Sequence, residues 1–235
     1  MKKVFLFLYP IKEYFDVSFM SEEGCKMRGY RLPIPTLNEC IQKRYRDKGY
    51  EVVFATYPDK DIKNVEVKEG EDKIIFTDVS FKEATGYYED GSKKTLDEVQ
   101  YPDNKFLLDQ LGDVEHLVVG GFHAADCVKR VADYAYENGI DTLVDLEMTD
   151  FLNGCFSKLE HFDFEYYNPA NMREYIRYGI KKSESKEDAE ESLKQIKECF
   201  SPAYHLFDTN YIPTETAEEM LTKEYEEAVV NEKFN

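Results

Sequence analysis

The chain has 235 residues, of which 42% are hydrophobic and 14% aromatic, enough to bury a substantial core and to exclude global disorder. Its formal net charge of −18, from 48 acidic against 30 basic residues, repels phosphate backbones and anionic membrane surfaces. Nucleic acid and membrane are therefore not expected as partners. With 18 Tyr, 16 Phe and no Trp, core and pocket walls should be rich in rings. The largest basic run, Lys43, Arg44, Arg46 and Lys48, reads as a solvated helix face. Met1-Lys2-Lys3 precedes only a short apolar run without a cleavage motif, and no stretch approaches the ~18–20 apolar residues of a spanning helix, so a cytoplasmic protein is expected. The five cysteines, 25, 40, 127, 155 and 199, are odd in number and lack CxxC spacing. They read as reduced thiols, each most simply a small buried hydrophobe.

In chain order, Val4 to Leu8 (VFLFL) is the continuous apolar run of a central parallel strand, ended by Tyr9-Pro10. Residues 11 to 35 read as a long irregular loop. Thr36, with Glu39 three residues on, has capping-box spacing, and Leu37, Cys40, Ile41 and Tyr45 form the stripe of a helix ending near Gly49. Val52 to Thr56 is a second strand, a short strand fits Val65 to Val67, and Ile74 to Thr77 is a third core strand. Asp78 to Asp97 reads as an excursion or hairpin. Pro102 fits the first turn of a helix carrying Phe106, Leu107 and Leu111.

Residues 114 to 150 organise the rest. His-Leu-Val-Val is a buried strand that Gly120-Gly121 ends; Val128, Val131, Ala132, Ala135 and Tyr136 have helical spacing; Gly139 stands at the helix C-terminus; and Ile140 to Leu146 is a second strand. A right-handed crossover makes the two strands parallel. Cys127 then lies at the start of the helix, past the carboxyl end of the first strand, where open parallel sheets place ligands. The helix dipole and free N–H groups there favour a thiolate and an oxyanion. A cysteine simply buried between helix and sheet is the alternative. Beyond Asp150, a short helix fits Asn171 to Tyr178, a good amphipathic helix Lys186 to Phe200, and a last acidic helix Thr216 to Val230.

Gly121-Phe-His-Ala-Ala-Asp-Cys127-Val128, followed by Ala132-Asp133-Tyr134-Ala135 and Gly139, resembles the signature of the isochorismatase-like cysteine hydrolases, which include nicotinamidases. The order of elements agrees over residues 3 to 150. The resemblance implies a six-stranded parallel sheet and a nucleophilic Cys attacking an amide or, less often, an ether-linked substrate. It also implies an Asp at the end of the first strand as base and a supporting Lys after the third. Cys127 stands at the nucleophile position, but Tyr9 replaces the Asp and Thr77 the Lys. Tyr57-Pro58-Asp59 stands where nicotinamidases carry a metal-binding Asp-x-His, and Ala124 where the family has Thr. Without a base in reach, acylation lacks its proton acceptor.

Asp78 and His123 are the nearest candidates to assist Cys127, with His123 also readable as a hydrogen-bonded structural residue; Glu13 and Asp16 stand farther from the strand end. Tyr9, Thr77, Phe122 and Asp126 are the expected substrate-binding residues. Gly120-Gly121 reads as a tight turn, since no GxGxxG or Walker pattern is present. Asp145, Glu147 and Asp150 read as solvated or, alternatively, as lining the same edge or holding a cation. His116, His161 and His205 lack ligand spacing, so neither metal nor other cofactor is expected. The resulting expectation is a three-layer α/β/α core with a mostly parallel sheet over 1–155 and a mixed aromatic segment with a helical C-terminal extension over 156–235, packed on the core or in an oligomer contact. The function expected is a divergent cysteine hydrolase of a small amide-like substrate, with a catalytically inactive binding or structural protein as the alternative. A homo-oligomer is expected by analogy with the family.

Overall fold

A computed structural model describes residues 2–15, 34–84, 92, 94–95, 98–150, 183–198, 202–207 and 212–230. The strands are β1 (Lys3–Leu8), β2 (Glu51–Thr56), β3 (Lys73–Phe76), β4 (His116–Phe122), β5 (Asp141–Asp150), β6 (Tyr204–Phe207) and β7 (Pro213–Thr216). The helices are α1 (Lys12–Phe15), α2 (Ile34–Arg44), α3 (Phe81–Ala84), α4 (Asn104–Asp109), α5 (Lys129–Glu137), α6 (Lys186–Lys197) and α7 (Ala217–Glu224). One sheet runs in the order β3-β2-β1-β4-β5-β6-β7. β1 to β6 pair in parallel and β7 closes the edge antiparallel to β6. This is the α/β architecture with a mostly parallel sheet that the apolar runs predict.

Alternation along the strands sorts two cores. Val4, Leu6 and Leu8 join Val53, Ala55, Leu117 and Val119 on one face, covered by α4, α5 and, through Ala189, Met220 and Leu221, by α6 and α7. Phe5, Phe7 and Phe54 join Val118, Phe122 and Met148 on the other, covered by Leu37, Cys40 and Ile41 of α2 and the adjacent Tyr45. Both faces being covered explains why β1 and β2 read as unbroken apolar runs. Each full burial of such a side chain contributes roughly 1.5–3 kcal/mol, so β1 alone outweighs any single polar contact in the molecule. β3, at the edge, buries only Ile75.

Several boundaries differ from the sequence reading. β4 runs through Gly120-Gly121 to Phe122. Gly121 has φ 109°, and a Cβ there would lie 2.3 Å from the Leu8 carbonyl oxygen, so the glycine allows close strand approach and does not terminate the strand. α2 begins at Ile34, which places Thr36 inside the helix and not at its cap; Pro35 is tolerated in a first turn. α4 is capped by Asp103, whose side chain accepts from the N–H of Lys105 and Phe106, with Pro102 just outside. Residues 65–67 form no strand, but Val65 and Val67 pack against the aromatic core. The C-terminal part is not helical alone: β6 and β7 extend the sheet, β6 pairing Val144 with Tyr204 and Asp145 with His205. Thr216 caps α7 through a complete capping box with Glu219, and the helix continues as a wider turn over Tyr225–Val230. The helix expected at 171–178 and residues Asp16, Cys25, Cys155, His161 and Cys199 lie outside the described residues.

The solvated face expected for Lys43, Arg44, Arg46 and Lys48 holds for the exposed Lys43 and Lys48 and is corrected for the two arginines. Arg44 Nη1 donates to both carboxylate oxygens of Asp145, at 2.9 and 2.8 Å, and the Tyr45 hydroxyl donates to the same carboxylate at 2.6 Å. These side chains are 6% and 0% exposed, so Asp145 is neither solvated nor open to a cation. Arg46 clamps Asp72 through Nε and Nη2 at 3.0 and 2.6 Å. A buried carboxylate costs several kcal/mol to dehydrate, and bidentate Arg pairing offsets that cost.

Candidate active site at the carboxyl edge of the sheet

The ends of β1, β2 and β4 bring the candidate residues together. After Phe122, His123 is extended and its carbonyl accepts from the N–H of Asp126 and Val128, at 3.2 and 3.1 Å, closing a wide helical turn over Ala124–Val128. Cys127 sits in that turn, immediately before α5, as the spacing predicts. From the other side, the buried hydroxyl of Tyr204 on β6 donates to the Ala124 carbonyl and fixes the turn to the sheet.

Tyrosine rings line this edge. Tyr9, 1% exposed and with φ 58°, stacks on Tyr57 at 4.6 Å between centroids. The hydroxyls of Tyr57 and Tyr14 lie 3.3 Å apart, and both rings meet Phe81 edge-on, at 5.4 and 5.8 Å. Cys127 acts electrostatically on Tyr9, Tyr14, Tyr57 and Tyr101, so all four rings belong to its surroundings. Burial raises the phenols of Tyr9, Tyr14 and Tyr57 far above their ordinary value, which keeps them neutral hydrogen-bonding groups.

The expected thiolate is not favoured. Burial, and then the Asp126 carboxylate, push the partly buried Cys127 thiol well above its ordinary value; Arg130 opposes them without prevailing. Placement at a helix start is therefore outweighed by dehydration and by a like-charge neighbour. Among the assisting candidates, Asp78 bears electrostatically on Tyr9, but its Oδ1 accepts from the Asp103 N–H at 2.9 Å. The His123 ring packs 4.9 Å from Tyr14 and 5.5 Å from Phe122. Glu13 is paired to Lys60 at 2.5 Å.

The substrate-binding candidates divide. Tyr9 and Asp126 belong to the Cys127 group. Thr77 is buried, its hydroxyl donating to the Val79 carbonyl at 2.6 Å, and Phe122 is buried among Phe7, Phe15 and Tyr14. The sequence reading missed Tyr14, Tyr57, Phe81, Tyr101, Lys60, Arg130 and Tyr204. Tyr57 carried a signal, since it directly follows β2 as Tyr9 follows β1. The residues do not fit a bound metal: Asp59 accepts from the Phe81 N–H at 2.7 Å, and among the described residues no three His, Cys, Asp or Glu side chains group to hold one.

No protein-family model matches the chain, and no curated protein matches it. Among solved structures, it is similar to a pyrazinamidase of Pyrococcus horikoshii in complex with zinc, at 14% identity and TM-score 0.42, over 88% of this chain and 99% of that one. It is similar also to an isochorismatase of Pseudomonas putida, at 14% identity and TM-score 0.35, over 63% and 70% of the two chains. A nicotinamidase of Bacillus subtilis is similar at 16% identity and TM-score 0.36, over 69% and 94%. The six parallel strands of this sheet are what the sequence resemblance to the isochorismatase-like hydrolases implies, whereas the residues at its strand ends are this chain's own.

Proposed function

We propose that this chain binds a small planar molecule at the carboxyl edge of its sheet and does not hydrolyse it through Cys127. The observation that carries this reading is the placement of Cys127, partly buried in the turn before α5 and beside the Asp126 carboxylate, surroundings that push its thiol up and not toward the thiolate. Three further placements support it. A buried, neutral Tyr9 stands where the family's base belongs, Thr77 spends its hydroxyl on Val79, and Asp78 holds the Asp103 N–H. What stands beside Cys127 instead is a group of rings, Tyr14 and Phe81 half-buried and Tyr101 exposed, over the buried pair Tyr9 and Tyr57, which suits a planar ligand that stacks and accepts or donates one or two hydrogen bonds.

The second reading is a cysteine hydrolase of a small amide. It is favoured by the position of Cys127 in the turn beyond β4 and by Arg130, whose charge stabilises a thiolate. Iodoacetamide labelling separates the two. The binding reading expects Cys127 to react near pH 7 no faster than a free thiol, with the rate still climbing above pH 9. A plateau reached below pH 7, together with release of ammonia from benzamide or nicotinamide, overturns it in favour of the hydrolase.

A further inference from the structure

We infer that Arg130 gives the Cys127 site a preference for ligands bearing a planar carboxylate, which rests on the binding reading above. The Arg130 guanidinium lies over the Tyr101 ring, 3.6 Å from its centroid. Its ion-pair contact is a single Nε to Asp126 Oδ1 distance of 3.4 Å, with the two side chains 49% and 28% exposed. Neither Nη1 nor Nη2 donates a hydrogen bond among the described residues. The contrast with the other described arginines is plain. Arg44 spends Nη1 on both oxygens of Asp145, and Arg46 spends Nε and Nη2 on Asp72 and on the Glu66 carbonyl.

A guanidinium stacked on a ring keeps its fork in one plane, and a carboxylate accepts from such a fork through two parallel hydrogen bonds. Arg130 lies over its ring with the side chain half-exposed and neither Nη nitrogen hydrogen-bonded among the described residues. Lys60, a second described cation, is held by Glu13 at 2.5 Å and lies 4.3 Å over the Phe81 ring. The net charge of −18 repels anions at long range, so selection for a carboxylate has to come from a contact this close. Asp126 sets the threshold: an incoming carboxylate shares Arg130 with it, and a neutral amide of the same shape gains nothing from the fork.

Titration calorimetry with benzoate and benzamide as probes tests this on the full chain. Wild type is expected to bind benzoate at least about tenfold more tightly than benzamide, a difference of about 1.4 kcal/mol. Arg130→Gln should erase the preference while leaving benzamide affinity within about twofold, and Arg130→Lys should restore it only in part because the fork is gone. Benzamide bound without a benzoate preference in wild type overturns the inference and leaves the binding reading standing. A preference that survives Arg130→Gln overturns it too, as does loss of both ligands in that variant, which would mark Arg130 as structural. Wild type binding neither probe removes both readings.

Discussion

Asp145 on β5 and Cys127 in the turn after β4 are both acidic groups withdrawn from water, the first fully and the second in part, and the chain treats them oppositely. Around Asp145, α2 delivers a guanidinium and the adjoining Tyr45 a hydroxyl, both within hydrogen-bond distance, so the buried carboxyl has a cation and a donor as partners. Around Cys127, the nearest anion raises the thiol, the cation is half-exposed and shared, and the tyrosines are neutral. Burial penalises a charge in both places, and the partners decide how far that penalty is offset. The fold supplies a buried carboxyl with a matched cation and donor on the α2 face and does not do so for the thiol at the strand-end edge.

The largest test of that contrast is removal of the matched anion. Asp145→Ala strands the Arg44 cation in the core and should cost about 3–5 kcal/mol by denaturant unfolding, while the double replacement Arg44→Met, Asp145→Leu should recover most of it. A loss below about 1 kcal/mol for the single variant breaks the comparison. Next, Tyr204→Phe leaves the Ala124 carbonyl without its donor, at about 1–3 kcal/mol, and should speed iodoacetamide labelling of Cys127 by loosening its turn. Unchanged labelling would mean that the turn holds its shape without β6. The smallest effect is expected at the far edge, where Thr216→Ala removes a capping box for about 1 kcal/mol and should leave Cys127 labelling untouched. The Glu219 carboxyl in that box is held below its ordinary value by the Thr216 N–H and hydroxyl. Its stabilising effect is therefore complete above the unfolded carboxyl's titration range and is lost as pH falls through the lower folded one, so Thr216→Ala should matter less in acid.

Much of the sheet was legible because its strands are buried on both faces and read as plain apolar runs: VFLFL, VVFAT and the segment entering β4. β6 and β7 were not, because YHLF and PTET are short, half polar and set among acidic helices; only pairing with β5 makes them strands. Local residue type misled at Gly120-Gly121, where Gly121 serves the approach to Leu8 and neither glycine ends the strand. The buried pair joins residues 101 positions apart, beyond any window of periodicity. Half of it was nonetheless on the page: Arg44 falls at helical spacing from Leu37, Cys40 and Ile41, on the stripe that faces the sheet. At the site, the position of Cys127 was legible from the spacing of Gly121, Cys127 and Gly139. Its ionisation was not, since that depends on what burial and Asp126 do together in three dimensions.

The hydrogen bond from Tyr204 to Ala124 spans 80 residues of sequence. During synthesis, β1, β2, β4 and α5 emerge long before β6, so the turn carrying Cys127 exists for a time without its tether and β5 stands as an open edge. Parallel pairing of this kind forms slowly and exposes strand edges to other chains. The arrangement around Cys127 is therefore among the last parts of the molecule to be completed, and its final shape is set by a strand near the carboxyl end of the chain.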